Sequence, residues 1–149
     1  MSELNGLFSL RTAQDLLDKL EADYRRLSQS DTASIEAQYA AFDFFVCAEH
    51  IPDWLKKTSG GSLANHRSYV EGAVVSHIAN GAKHFRVEDP RHTTVRNTLT
   101  APGVFDGNFF DPSVFACTPR LVVELESGDT ADVLDLAAKV LSHWRNVLA

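Results

Sequence analysis

Between Tyr39 and Ala48 the chain runs through ten residues of which one, Asp43, is charged. A helix that is apolar nearly all round must be packed on several sides, so this stretch predicts a central helix with the rest of the fold built about it. Polar residues then break the run: Glu49, His50 and Asp53 follow it directly. A second segment, Ser76 to Phe85, repeats the pattern, with His77, Asn80, Lys83 and His84 set among Ile78, Ala79, Gly81 and Ala82. An acid, an imidazole or an amide withdrawn from water is costly unless it finds a partner. Two such islands, one hairpin apart, predict a polar cluster shared by two packed helices.

Periodicity places the other elements. Leu10, Leu16, Leu17, Leu20, Tyr24 and Leu27 recur at helical spacing, with Asp15, Asp18, Lys19, Glu21, Arg25 and Arg26 on the other side. They predict a first helix from about Ser9 to Ser28. Ser30, Asp31 and Thr32 supply cap residues for the second, about Thr32 to Lys57, in which Pro52 should cause a kink or split off a last turn. Gly60-Gly61-Ser62 marks a break. A third helix is expected from about Ser62 to Arg86, burying Leu63, Val70, Val74, Ile78 and Phe85, with Gly72 and Gly81 permitting a close approach.

The character then changes. Thr93 to Thr100 is rich in β-branched residues and reads as a strand. Val104 to Ser113 reads as an ordered aromatic loop, Val114 to Cys117 as a short strand, and Arg120 to Glu126 as the strongest strand. Ser127-Gly128-Asp129 is expected to turn the chain and cap a last helix from Thr130 to about Val147. Its wide apolar face comprises Val133, Leu134, Leu136, Ala137, Val140, Leu141, Trp144 and Leu148. The expected fold is α+β and mainly α: a three-helix N-terminal bundle, a small antiparallel β ribbon or sheet, and a C-terminal helix packed on the bundle. At 149 residues one domain suffices.

Candidate chemistry lies in the polar islands. Asp43, Cys47, His50 and Trp54 form one stripe of the second helix. His66, His77, Asn80 and His84 form one of the third, with Lys83 beside it. If the two helices are antiparallel, Asp43 or His50 comes within reach of His77 or His84. A carboxylate that orients an imidazole is an acid/base element; it is also an ordinary buried hydrogen-bonded pair, which is the leading expectation. Asp43, His77, Lys83 and His84 are the catalytic candidates, and His50, Asp53 and Asn80 the ligand-binding ones. An open cleft reaching His77 and His84 would mark an enzyme. The other reading is a binding or regulatory module in which these residues are mainly structural or line a ligand pocket; a sealed, fully paired cluster would favour it.

No metal centre and no cofactor are expected. His77 and His84 are seven residues apart, about 10.5 Å along a helix. No H-E-x-x-H or C-x-x-C occurs, and His50 or Glu49 with Asp53 offers at most two ligands. Cys47 lies mid-helix among apolar residues and reads as a small buried hydrophobe. A net charge of −6 argues against broad nucleic-acid or anionic-membrane binding. Basic residues do gather at Lys83, Arg86, Arg91, His92 and Arg96, with Arg120 on a neighbouring strand. The patch reads as a solvated charged face, the alternative being an anionic partner such as RNA. No membrane span and no leader pattern are seen in the sequence, so the expected compartment is the cytoplasm, and the expected partners are another protein or a second copy of the chain.

The segments Phe44 to Leu55 and Ile78 to Phe85, with the closing strand-turn-helix, resemble a loose group of bacterial and phage helical proteins to which no activity is attached. The helical hairpins also resemble HEPN-type bundles, many of which are RNases or toxin–antitoxin components. That resemblance implies an RNase or hydrolase using His77, His84 and Lys83. The HEPN motif sets an arginine and a histidine at a helix start with four to six residues between them. Here Arg67 and His77 have nine residues between them, while Arg86 and His92 have five but straddle Pro90.

Overall fold

The computed structural model describes residues 4–32, 34–59, 69, 71–101 and 120–149. Gly60 to Ser62, Leu63, His66, Arg67, Val70, the aromatic loop, the strand expected at 114–117 and Cys117 lie outside the described residues. Among those described there are four helices and three strands: α1 (Ala13–Gln29), α2 (Ile35–Ser59), α3 (Gly72–His84), β1 (Val95–Ala101), β2 (Arg120–Leu125), β3 (Thr130–Asp132) and α4 (Val133–Val147). The architecture is α+β and mainly α. No described helix is long and apolar enough to cross a membrane.

α2 is the central element and packs against α1, α3 and α4. Ala37, Ala40, Ala41 and Ala48 are buried along it beside Phe44, Phe45 and Ile51. Their small side chains let neighbouring helices come close, and the phenyl rings fill the space between. Leu16, Leu17, Leu20 and Leu27 of α1 and Leu136, Ala137, Val140, Leu141 and Trp144 of α4 complete the same core. α2 is not enclosed all round, because Tyr39 and Phe42 stay about half exposed. It runs on through Pro52 to Ser59; the proline does not end the helix.

The helix starts differ from the sequence reading where local hydrogen bonds decide. α1 begins at Ala13 because Thr12 and Asp15 form a reciprocal capping box: Asp15 N–H donates to Thr12 Oγ1 at 3.1 Å and Thr12 N–H to Asp15 Oδ2 at 2.9 Å. α2 begins at Ile35, behind Ser34, whose hydroxyl accepts from Ala37 N–H at 3.2 Å. The last helix does not start at Thr130. Gly128, at φ +90°, turns the chain so that Thr130–Asp132 pairs antiparallel with β2. Asp132 then caps α4 by accepting from Leu134 and Asp135 N–H at 2.9 and 3.1 Å.

The sheet has the order β1-β2-β3 and is antiparallel throughout. Val95 pairs with Leu125 but Asn97 with Glu124, so Arg96 is an extra residue that bulges β1 at its first turn of pairing. The connection from α3 to β1 is also irregular. α3 ends at His84, and Phe85 takes φ +63° and ψ −46°. Arg86 N–H then donates back to His84 O at 2.7 Å, closing a three-residue γ-turn of the strained, positive-φ kind. Phe85, expected in the buried face of the third helix, is 98% exposed. The turn rotates it out of the helical stripe and brings Val87 against Gly81, where a Cβ would lie 3.3 Å from Val87 Cγ2.

Candidate functional site

α2 and α3 meet along their polar islands, and a cleft of about 510 Å³ opens between them. Glu49, His50 and Asp53 line it from α2; Ser76, Asn80, Lys83 and His84 line it from α3; His92 enters from the segment that follows. The helices are joined within it by Ser76 Oγ, which donates to Glu49 Oε2 at 2.8 Å. Phe42, Val46, Ala79 and Ala82 supply apolar wall. His50, Lys83 and His84 are exposed, whereas Glu49, Asp53, Asn80 and His92 are partly buried. Acid, amide, ammonium and imidazole therefore face one solvent-connected space, able to donate to and accept from a polar ligand of mixed charge.

Of the expected site residues, His50, Asp53, Asn80, Lys83 and His84 come together in this cleft. His77 and Asp43 do not. His77 lies on the side of α3 that meets the sheet, where its Nδ1 accepts from Val95 N–H at 3.0 Å. That bond fixes the neutral imidazole with its proton on Nε2. Thr94 Oγ1 lies 3.5 Å from the same nitrogen and donates to Ala73 O at 3.2 Å. Burial, and after it the neighbouring His92, hold His77 below the ordinary imidazole pKa. His77 thus ties α3 to β1.

Asp43 was expected to face the third helix but faces the first. Its carboxylate accepts from Arg26 Nη1 at 3.0 Å, and its side chain is 43% exposed. The reason is angular. Ala40, Phe44 and Cys47 turn into the core with α1 and α4, which leaves Asp43 at the rim of the α1–α2 seam. Among the described residues the buried carboxylate is that of Asp23, 3% exposed, which accepts from Lys19 Nζ at 2.6 Å and Arg26 Nη1 at 3.2 Å. Sequence reasoning missed it, although the signal was present: Leu16, Leu20, Asp23 and Leu27 share one helical stripe.

The basic patch is resolved into local ion pairs. Arg86 reaches Glu88 at 3.9 Å, Arg91 pairs with Asp89 at 2.6 Å, Arg96 with Glu124 at 3.5 Å and Arg120 with Asp132 at 3.7 Å. The fork of Arg91, by side-chain and backbone hydrogen bonds, holds the Asp89 carboxyl well below the usual carboxylate range. Cys47 is buried and donates to Leu16 O at 3.4 Å; its burial pushes the thiol up to about 12, so it is no nucleophile. Among the described residues no three His, Cys, Asp or Glu side chains are grouped to hold a metal ion.

Fold and site together define a helix-dominated α+β protein with an open polar cleft between its central helix and the helix after it. Compared with known proteins, the chain matches no protein-family model, no curated protein and no solved structure.

Proposed function

We propose that the chain is a small cytoplasmic binding or regulatory module whose ligand seats in the α2–α3 cleft. One observation carries the reading: His50, Asp53, Asn80, Lys83 and His84, picked out by sequence as a polar cluster, line one open space of about 510 Å³. Most clefts that bind small molecules combine an apolar wall with a few convergent polar groups, and this one has both. The ligand that suits it is small and polar, with anionic and cationic ends, because Lys83 and the imidazoles face Glu49 and Asp53. The hydrolase alternative, in which His77, His84 and Lys83 act together, has to work across α3: His84 and Lys83 line the cleft, and His77 lines the hollow on its other side.

The test is a screen of small amphoteric metabolites by thermal shift, followed by backbone-amide NMR of the uniformly labelled protein. Binding to the folded state alone raises the midpoint, by an amount that grows with the logarithm of ligand concentration above Kd. The reading expects shifts clustered at His50, Asn80, Lys83 and His84, lost in His84→Ala and Asn80→Ala proteins that keep the parental circular dichroism. Shifts confined to other surfaces, or variants that bind as the parent does, would overturn it.

A further inference from the structure

Beyond the cleft, a second hollow of about 580 Å³ opens at the C-terminal end of α3, lined by His77, Phe85, Arg86, His92, Arg96 and Glu126 among others. We propose that this hollow binds a nucleoside phosphate, with the base stacked on Phe85 and the phosphate held by Arg86 and Arg96.

Three features of the backbone and surface converge there. Phe85 presents its ring to solvent at 98% exposure, on a backbone at φ +63° that glycine would adopt without strain. A side chain that packs against nothing gives the fold no return for such a conformation. Strain of this kind persists where it positions a group for use. The second feature is the β-bulge at Arg96, since bulges re-aim side chains and collect beside functional sites. Both irregularities border the same hollow. The third is charge. In a chain of net charge −6, the lining gathers two guanidinium groups against the one carboxylate of Glu126, with His77 and His92 beside them as hydrogen-bonding groups.

Ring and cations together select the ligand. A flat π-face stacks on an aromatic side chain whichever base carries it, and guanidinium forks match phosphate oxygens. The present partners of the arginines are replaceable: Arg86 and Glu88 are 79% and 78% exposed at 3.9 Å, and Arg96 is 56% exposed at 3.5 Å from Glu124. Exposed pairs of that length contribute little, so a phosphate can displace them. Glu126 is placed to accept from a sugar hydroxyl. An apolar protein segment is a poorer fit, because the cations of Arg86 and Arg96 line the same hollow as the ring. The chemistry is shared by a free nucleotide and a single-stranded nucleic acid. This hollow and the cleft share His92 and no other lining residue, so either reading can fail alone.

The experiment is an amide NMR titration of the full chain with adenosine 5′-monophosphate, adenosine, inorganic phosphate and a short single-stranded oligoadenylate. The nucleotide is expected to shift residues 84–87 and 92–96 at concentrations where adenosine or phosphate alone does not. Phe85→Ala and Arg86→Gln each weaken it about tenfold; both side chains are exposed, so the fold is kept. An oligoadenylate bound much more tightly than the mononucleotide, and weakened by the same variants and by added salt, identifies the strand as the source. Equal affinity identifies the free nucleotide. Phosphate alone reproducing the nucleotide's shifts with Phe85→Ala unaffected, or shifts from no probe at these residues, would overturn the proposal.

Discussion

Replacing Asp23 by asparagine tests the buried ion cluster of α1, which reaches α2 through Arg26 and Asp43. In the native fold its carboxylate, 5% exposed, accepts from Lys19 at 2.6 Å and from Arg26 at 3.2 Å. A hydrogen bond to a charged group contributes roughly 1.5–3 kcal/mol. The two cations are 41% and 53% exposed, so solvent screens each bond toward about 1 kcal/mol. Asparagine keeps the shape and one acceptor, and is spared the cost of burying a charge, which offsets part of the loss. The expected net cost is about 1–2 kcal/mol. With a urea dependence of about 2 kcal/mol per molar, the unfolding midpoint should fall by about 0.5–1 M with no change in slope. Asp43→Asn removes one bond at a site 43% exposed and should cost at most about 0.5 kcal/mol. Because Arg26 serves both acids, the double variant should lose less than the sum. The reasoning is refuted if Asp23→Asn unfolds at or above the parental midpoint, or if the two single variants cost the same.

Phe85→Gly should raise the unfolding free energy by about 1 kcal/mol, and so the urea midpoint by about 0.5 M, since it relieves a positive-φ residue that buries nothing; an unchanged or lower midpoint would mean the turn is unstrained. In a Cys117→Ser background, Cys47 should resist a thiol reagent at pH 8 until denaturant unfolds the chain, because burial holds its thiol near 12; rapid labelling of the native protein would contradict its place in the core. His77 sets a pH dependence. Its folded pKa is held below the ordinary imidazole value of about 6.5, by burial and then by His92, so the folded state binds fewer protons than the unfolded one. Its contribution to stability is therefore present above about pH 6.5 and lost as pH falls through the lower folded value. Arg86, Arg96, His92 and Glu126 border the same hollow, so the comparison is made with His77→Ala, which should unfold more easily at pH 7.5 and lose less stability than the parent toward pH 5. Equal losses in both proteins would assign the pH dependence elsewhere.

The fold was readable where periodicity was long. Leu16 to Leu27 and Val133 to Trp144 announce their helices by an apolar stripe, Tyr39 to Ala48 by being apolar nearly all round, and β2 by the apolar run Leu121-Val122-Val123. The errors sit where a single hydrogen bond or dihedral decides. Asp132 moved the start of α4 past a three-residue strand, and Thr12 with Asp15 moved that of α1. The γ-turn at Phe85 reversed the fate of a residue whose spacing marked it as core. For the site, five of the seven candidates, His50, Asp53, Asn80, Lys83 and His84, line one cleft, since spacing alone puts polar residues on one side of a helix. Sequence could not separate His77 from His84. Seven residues apart, they share a nominal face, and only the arrival of β1 beside Val95 gives one of them a backbone partner. It also chose Asp43 over Asp23 as the buried acid, because the apolar company of Asp43 along the chain is more conspicuous than its position at the rim.

That division of α3 between scaffold and open cleft is the centre of the account, and paired His77→Ala and His84→Ala proteins test it most directly. Urea unfolding at pH 7.5 and imidazole NMR would be run on both. The account predicts that His77→Ala lowers the midpoint, that the parental His77 ring shows one neutral tautomer protonated on Nε2, and that His84→Ala unfolds as the parent does while losing the response to a cleft ligand. A His84→Ala protein as destabilised as His77→Ala, or a His77 ring exchanging freely between tautomers, would contradict it.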